Sequence, residues 1–534
     1  MKDTYDAIII GAGMGGLSCG AWLAYKGMKV LVIEQNLQVG GLCSSYKRNG
    51  FNFTPAASII SGATKKDGFF RRLIERLGIA GDIQFIPLEQ GYHVHMPDFD
   101  YSMYTGGEEA RRRFIEQLIR LFPHEKDGIS AFFNTLVKIY EQMDYAMFLG
   151  TKPMDVARIL FKCPSLVRHM GKGIIPFMND YVKDPRLKAV LSINSTCANL
   201  PPSRMSVLAI AGLLIEGGLS NPHVKGGAQA VSEAFAKSIL DRGGEVTVGQ
   251  LVEKILIEDK KAFGVKIISS CFSSRGGEIK DSGVVREIKA KYIISNAAAR
   301  QTFHKLVREE NVEKRFLASL RRLEPTPPFA ALFLGLDMDL KKMGLVPALH
   351  IHSSTYDTDE HFRDVGPKLL DEKGPEPFYR LQLAPLSDPT SAPAGKTALV
   401  IHAIPVPSTG WENREWQQKV IERMIKRVEK AIPDLSKHIV YQEFWSPVTI
   451  DRYNLCGTDA SMGWACSPQQ IGPKRLAHST PVRNLFLSGH WTQPAVGVSS
   501  VTLSGLQCAR MILEGEGVKE PLVDLGIRDG IMTG

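Results

Sequence analysis

Apolar residues in this chain recur at two spacings, and the elements they predict alternate. Residues 5–34 read as an apolar run ending at Gly11, a glycine turn, a helix-spaced stretch, and a second apolar run ending at Glu34. Run, turn, helix and run make a βαβ unit, which places the opening of the chain in a parallel sheet. Residues 251–257 and 262–267 alternate in the strand period on either side of Asp259-Lys260-Lys261, which predicts a hairpin, and 291–295 then predict a strand returning beside the first. Strands are also expected at 329–336, 348–354, 378–384 and 397–406, and helices at 69–77 and 111–122, with Pro123 placed to open the next helix. Trp416, Val420, Met424, Val428 and Ile432 share one helical face. Near the end, residues 483–513 repeat the opening theme: a strand to Gly489, a polar turn, and a helix from about Gly497. No internal repeat or low-complexity segment interrupts this α/β pattern.

The first turn has the composition that nucleotide binding demands. Gly11 permits the tight turn, Gly13 lets backbone approach a pyrophosphate, Gly15 keeps the turn bare, and Gly16 lets the helix lie close to the sheet. Phosphate would face the helix N-terminus, and Glu34 would accept the ribose hydroxyls. Gly40 and Gly41 follow only six residues after Glu34, a spacing that suits a loop over a longer, flavin-bearing dinucleotide. The closing helix points its positive end at a second anionic group, as a flavin carbonyl becomes on reduction.

With these residues in view the chain resembles the flavin amine oxidase superfamily, and within it phytoene desaturases, carotenoid isomerases and retinol saturases. The resemblance runs from the first cassette through 122–133, 224–246 and Ser295-Asn296-Ala297-Ala298-Ala299 to the closing motif. It implies FAD as cofactor, held by Gly11, Gly13, Gly15, Gly16, Glu34, Gly40, Gly41, Leu42, Val252, Gly489, His490, Gly497 and Val498, with Val252 touching the adenine. It also implies a Rossmann-type FAD domain from residues 1–64, 222–300 and 445–534. The substrate domain would come from 65–221 and 301–444, as a mixed or antiparallel sheet with a helical roof. Three positions depart from the pattern: Leu42 replaces a basic residue, Thr54 an aspartate, and His490 an acid. His490 is the one candidate catalytic group, and when protonated it would favour the anionic reduced flavin.

Composition narrows the partners. At 534 residues, 44% hydrophobic and 23% charged, the chain can bury a sizeable core. Its net charge of +9 comes with no clustered nucleic-acid motif, so nucleic acid is excluded. Eight Lys/Arg and three Asp fall within 152–188, where Arg158, Lys162, Arg168 and Lys172 are interleaved with bulky apolar residues. That pattern suits a surface lying on an anionic membrane, and equally a helix pair covering the substrate cavity. The longest apolar stretch, 205–215 between Arg204 and Glu216, is too short to span a bilayer. With the first strand starting near Asp6, the expected location is cytoplasmic with peripheral membrane contact.

The eight cysteines show no Cys-x-x-Cys spacing, and His93, His95, His350 and His352 show no carboxylate or thiol partner; no metal is expected, and the histidines read as sheet residues. Trp445 and Trp491 are expected in the cavity wall. Without a second G-x-G-x-x-G, electrons would pass to or from a quinone, oxygen or a small redox protein. The resemblance implies an oxidoreductase acting on carbon–carbon bonds of a long apolar isoprenoid, by desaturation, saturation or isomerisation. Alternatives are a quinone side chain, a cyclic hydrocarbon acid or an amine as substrate. Another is a non-enzymatic lipid escort resembling the Rab GDP-dissociation inhibitors. Val498 and Ser499, where amine oxidases present an aromatic residue, weigh against amines.

Overall fold

The computed structural model describes residues 4–149, 153–271, 280–363, 369, 378–528 and 531–532. The elements that position the site begin with β1 (Thr4–Ile10), α1 (Met14–Tyr25), β2 (Val30–Ile33), β3 (Gln90–His95), β4 (Asp100–Tyr104), α2 (Lys126–Ala146), α3 (Pro153–Lys162), α4 (Pro164–His169) and α5 (Gln229–Leu240). They continue with β5 (Glu245–Thr247), β6 (Gln250–Glu258), β7 (Lys261–Cys271), β8 (Lys280–Ser295), β9 (Ala330–Leu336), β10 (Leu349–His352), β11 (Tyr379–Gln382) and β12 (Thr397–Ala403). Last come α6 (Arg414–Val428), β13 (Ile439–Trp445), β14 (Leu485–Leu487) and α7 (Val498–Gly515).

One sheet runs β6-β7-β8-β1-β2-β5, with β14 added beside β8. Its β5, β2, β1, β8 and β14 are parallel, and β1 from Ala7 onward and all of β2 are apolar and buried on both faces, as parallel strands covered by helices must be. The expected hairpin is β6–β7, turning at Asp259 and Lys260, both left-handed (φ 48° and 58°). α1 is buried almost all round because α5 and α7 lie against it.

The second sheet runs β13-β9-β12-β11-β10-β3-β4 and is antiparallel except where β10 and β3 run parallel. β3 and β4 come from 65–221 and the other five strands from 301–444 and Ile439–Trp445, so the two stretches assigned to the substrate domain share one sheet. The outer face of β9, β11 and β12 packs on Val420, Met424 and Val428 of α6. The Asn413 side chain caps α6 by accepting from the Trp416 N–H. Ile432 lies beyond the helix end but stays in that apolar cluster, before Pro433. Pro123 opens a 3-10 turn, and α2 starts at Lys126. The apolar stretch near 205–215 becomes a helix, Val207–Ala211, and a π turn, Gly212–Glu216. Among the described residues no helix is long and apolar enough to cross a membrane.

Candidate functional site

The two glycine motifs meet. A Cβ on Gly15 would lie 2.6 Å from Gly489 Cα, and a Cβ on Gly16 would lie 2.3 Å from the Gly11 carbonyl oxygen, so these positions serve close packing. Ser488 Oγ donates to the Gly15 carbonyl at 2.8 Å, and the Gly489 N–H donates to Ser504 Oγ on α7 at 3.0 Å. Asn296, at the end of β8, sits between the motifs: its Nδ2 donates to the Gly11 carbonyl at 3.3 Å and would lie 2.7 Å from a Cβ on Gly13.

Gly11, Gly13, Gly40, Gly41, Leu42 and Asn296 line one end of a cavity of about 810 Å³. The Gly40 N–H donates to the Ala12 carbonyl at 2.8 Å, which folds this loop over the first turn. Glu34 closes the end: Oε2 accepts from the Ala12 N–H at 2.8 Å, and Oε1 accepts from the Asn36 N–H at 2.9 Å and from Asn36 Nδ2 at 2.8 Å. Burial raises its pKa against the pull of those donors. Val252 adds an apolar wall, and Gly497 (φ 97°) turns the chain so that Val498 and the start of α7 face the same space. A bare turn at a helix start, a buried carboxylate and a second helix N-terminus fit a flavin dinucleotide.

Beyond this end the lining becomes mainly apolar, with Ile59, Met143, Leu166, Leu213 and Val496, and among its polar side chains two groups stand out. Glu216, on the π turn, is half-buried, and desolvation of its carboxyl raises its pKa to about 7; the Lys65 cation opposes this and Asp144 reinforces it. Lys65 Nζ and Asp144 Oδ2 are paired at 2.5 Å. The second group is Arg380, Gln382 and His402 on the inner face of the sheet. His402 Nε2 donates to the Pro55 carbonyl at 2.7 Å, and burial with the Arg380 cation lowers its pKa to about 3. Arg380 is the one Lys or Arg in the described lining; its Nη1 reaches the Thr196 carbonyl at 3.5 Å, its side chain also bonds to Cys197, and its buried Nε has no partner among the described residues. Thr54, in place of aspartate, is buried and bonded to Ser45 Oγ at 2.7 Å.

His490 lines the cavity, but burial and then the Arg475 cation lower its pKa to about 4. Both effects favour the neutral imidazole, so the protonated form weighed from sequence is disfavoured in this setting. The nearby cation is Arg475, which donates to the carbonyls of Thr492 (2.8 Å), Trp464 (2.8 Å), His490 (2.6 Å) and Gln470 (3.3 Å) and so holds the closing turn.

The family model for flavin containing amine oxidoreductases matches residues 14–513. The chain belongs to that family. Prolycopene isomerase 1 (chloroplastic) of an Oncidium hybrid cultivar is 28% identical, over 98% of this chain and 87% of the relative. The neurosporene-forming phytoene desaturase of Rhodobacter capsulatus is 26% identical, over 96% and 95%. In three dimensions a solved oxidoreductase from Methanosarcina mazei superposes with a TM-score of 0.59 at 17% identity, over 95% of this chain and 100% of that one, which shows a common fold.

Elsewhere in this flavin oxidoreductase other expectations change. Trp491 lines the cavity, whereas Trp445 is absent from the described lining and stacks on Tyr46 at 5.4 Å. The four strand histidines do have a carboxylate partner: Asp100 Oδ2 lies 3.0 Å from His95 Nδ1. In 152–188, whose first residue lies outside the described residues, α3 has one side in the cavity and another in solvent. Val156, Ile159 and Leu160 line the cavity, while Met154, Leu160 and Phe161 are 66%, 59% and 85% exposed. Two of the four singled-out cations have carboxylate partners, Arg158 with Asp155 and Lys172 with Asp180.

Proposed function

We propose that this enzyme binds FAD and acts on carbon–carbon bonds of a long, apolar, isoprenoid-like chain, by desaturation, saturation or cis–trans isomerisation. The reading rests on one observation: a single cavity continues from the glycine turn at Gly13, along apolar walls, to the exposed helix α3. When bound, FAD supplies a ring nitrogen that takes or gives hydride at a carbon held against it. The protein's share is orientation, water exclusion and charge. The apolar walls hold the chain and exclude water. Arg380 and the Pro55–His402 bond border the polar break, where a cation with a free N–H stabilises negative charge developing nearby. Glu216, with its pKa near neutrality, can hold or release a proton at its carboxyl oxygen.

Arg380 also favours a second substrate reading: an isoprenoid or hydrocarbon ending in an oxygen function, which would pair the free N–H. The exposed residues of α3 support docking on a membrane surface beside the cavity mouth, from which a lipid would enter without crossing water. The test begins with release and chromatography of the bound flavin to identify FAD. The loaded protein is then mixed anaerobically with cis polyenes, with and without a terminal oxygen function. Products differing by two hydrogens, or changed in geometry at constant mass, support the reading. Turnover of amines with no change in any polyene overturns it.

A further inference from the structure

The face of the second sheet turned away from the cavity carries a histidine cluster that flavin chemistry does not use. Parallel pairing of β3 and β10 sets His93 opposite His350 and His95 opposite His352. Side chains alternate along a strand, so Tyr92, Val94, Leu349 and Ile351 enter the core while all four imidazoles project from the other face. On the neighbouring strand β4, Asp100 stands opposite His95.

Hydrogen bonding fixes the tautomers. His350 Nε2 lies 3.0 Å from the Val346 carbonyl oxygen, which only accepts, so Nε2 carries the proton and Nδ1 presents a lone pair. His95 Nδ1 lies 3.0 Å from the Asp100 carboxylate, so Nδ1 carries a proton and, in the neutral ring, Nε2 presents a lone pair. Those two lone-pair nitrogens face each other across 3.2 Å. Two acceptors repel at that distance unless a cation lies between them. A third nitrogen, His352 Nε2, is buried without a partner among the described residues. One ligand atom from each of His95, His350 and His352 fits within 4.8 Å of the others.

Tetrahedral ligands at roughly 2.0–2.1 Å from zinc stand about 3.3 Å apart, so the His95–His350 pair already has ligand spacing. The carboxylate behind His95 and the carbonyl behind His350 are the outer acceptors that metal-bound imidazoles characteristically have. We propose that His95, His350 and His352 bind a divalent transition-metal ion of the zinc class, with water completing the shell. His352 is stacked between His95 (4.1 Å) and Tyr379 (4.5 Å) and must turn edge-on to ligate. The ion joins β3 to β10 across 255 residues of chain, on the opposite face from the cavity-lining Tyr92 and Leu349. Its role is to staple the sheet, and it takes no part in hydride transfer.

The test uses untagged, flavin-loaded protein stripped with a chelator and titrated with Zn²⁺, followed by X-ray absorption at the zinc edge. One zinc per chain with an imidazole-rich shell, a raised Tm, and loss of zinc in His352→Gln and His350→Gln at unchanged flavin content support the proposal. Should a variant fail to fold, the wild-type titration and spectrum decide. Failure of wild type to bind zinc, or a His352→Gln protein that binds it as tightly as wild type, overturns the proposal. So does nitrogen NMR showing a doubly protonated His95 between Asp100 and His350 in the presence of zinc, since a shared proton would then explain the short contact.

Discussion

The two ends of the cavity are built from different materials. At the glycine end the groups are mostly backbone: bare glycine turns, two helix starts, and N–H groups donating to the Glu34 carboxylate. At the reactive end they are side chains, Glu216 from a π turn and Arg380 and His402 from two strands. Two buried arginines sharpen the contrast. Arg475 gives its protons to four carbonyls, whereas Arg380 keeps its Nε free. A saturated cation is structure; an unsaturated one beside a cavity is available to a ligand.

Gly13→Val should disable the glycine end alone. The side chain would run into Asn296 and fill the approach to the pyrophosphate, so flavin content should fall at least about tenfold while reactive-end variants keep their flavin. Flavin-to-protein absorbance ratios check this. The arginines come next. Arg475→Met leaves four carbonyls without a donor and should cost on the order of 3 kcal/mol in denaturant unfolding. Arg380→Met removes a poorly paired buried charge and should leave stability within about 1 kcal/mol of wild type, or raise it, while lowering kcat about 100-fold. Equal stability losses in the two variants would erase the contrast.

Glu216 supplies a pH test. Its folded pKa, about 7, exceeds the ordinary value of 4.5, so the folded state holds a proton that the unfolded chain releases. Stability should therefore be greatest below pH 4.5 for this group and fall by about 3 kcal/mol as pH rises from 4.5 to 7. Glu216→Gln should flatten that part of the curve and remove an inflection near pH 7 from the activity profile. The smallest effect concerns α3. Replacing Leu160 and Phe161 together by Ser should weaken liposome binding about 10-fold or more, with only modest salt dependence, because Arg158 and Lys172 are partly neutralised. Flotation assays at low and high salt measure both.

The same division decided what could be read from sequence. A glycine turn is a local requirement, so Gly11 to Gly16, Glu34 and Gly497 announce themselves by spacing alone. The reactive end is assembled from strands and turns hundreds of residues apart, and no spacing links Glu216 to Arg380. Faint signals existed. Glu216 is the acid that ends the longest apolar stretch, Arg380 and Gln382 share one face of an apolar strand, and Asn296 ends the strand beside the first turn. The histidine pairs were visible as alternation, but the parallel pairing that makes one cluster of two pairs depends on where β3 and β10 meet. The downward pull on the His490 pKa had no signal in sequence, because its burial and the nearness of Arg475 are products of the fold.

The Ser488–Gly15 bond joins residues 473 positions apart, with a consequence for the order of events during synthesis. A nascent chain that has made the first turn holds only half of the cofactor's grip until the closing strand and α7 leave the ribosome. Early flavin capture is therefore weak and reversible, and commitment waits for the last stretch of translation. A chain halted before residue 485 will emerge with its opening cassette folded and colourless.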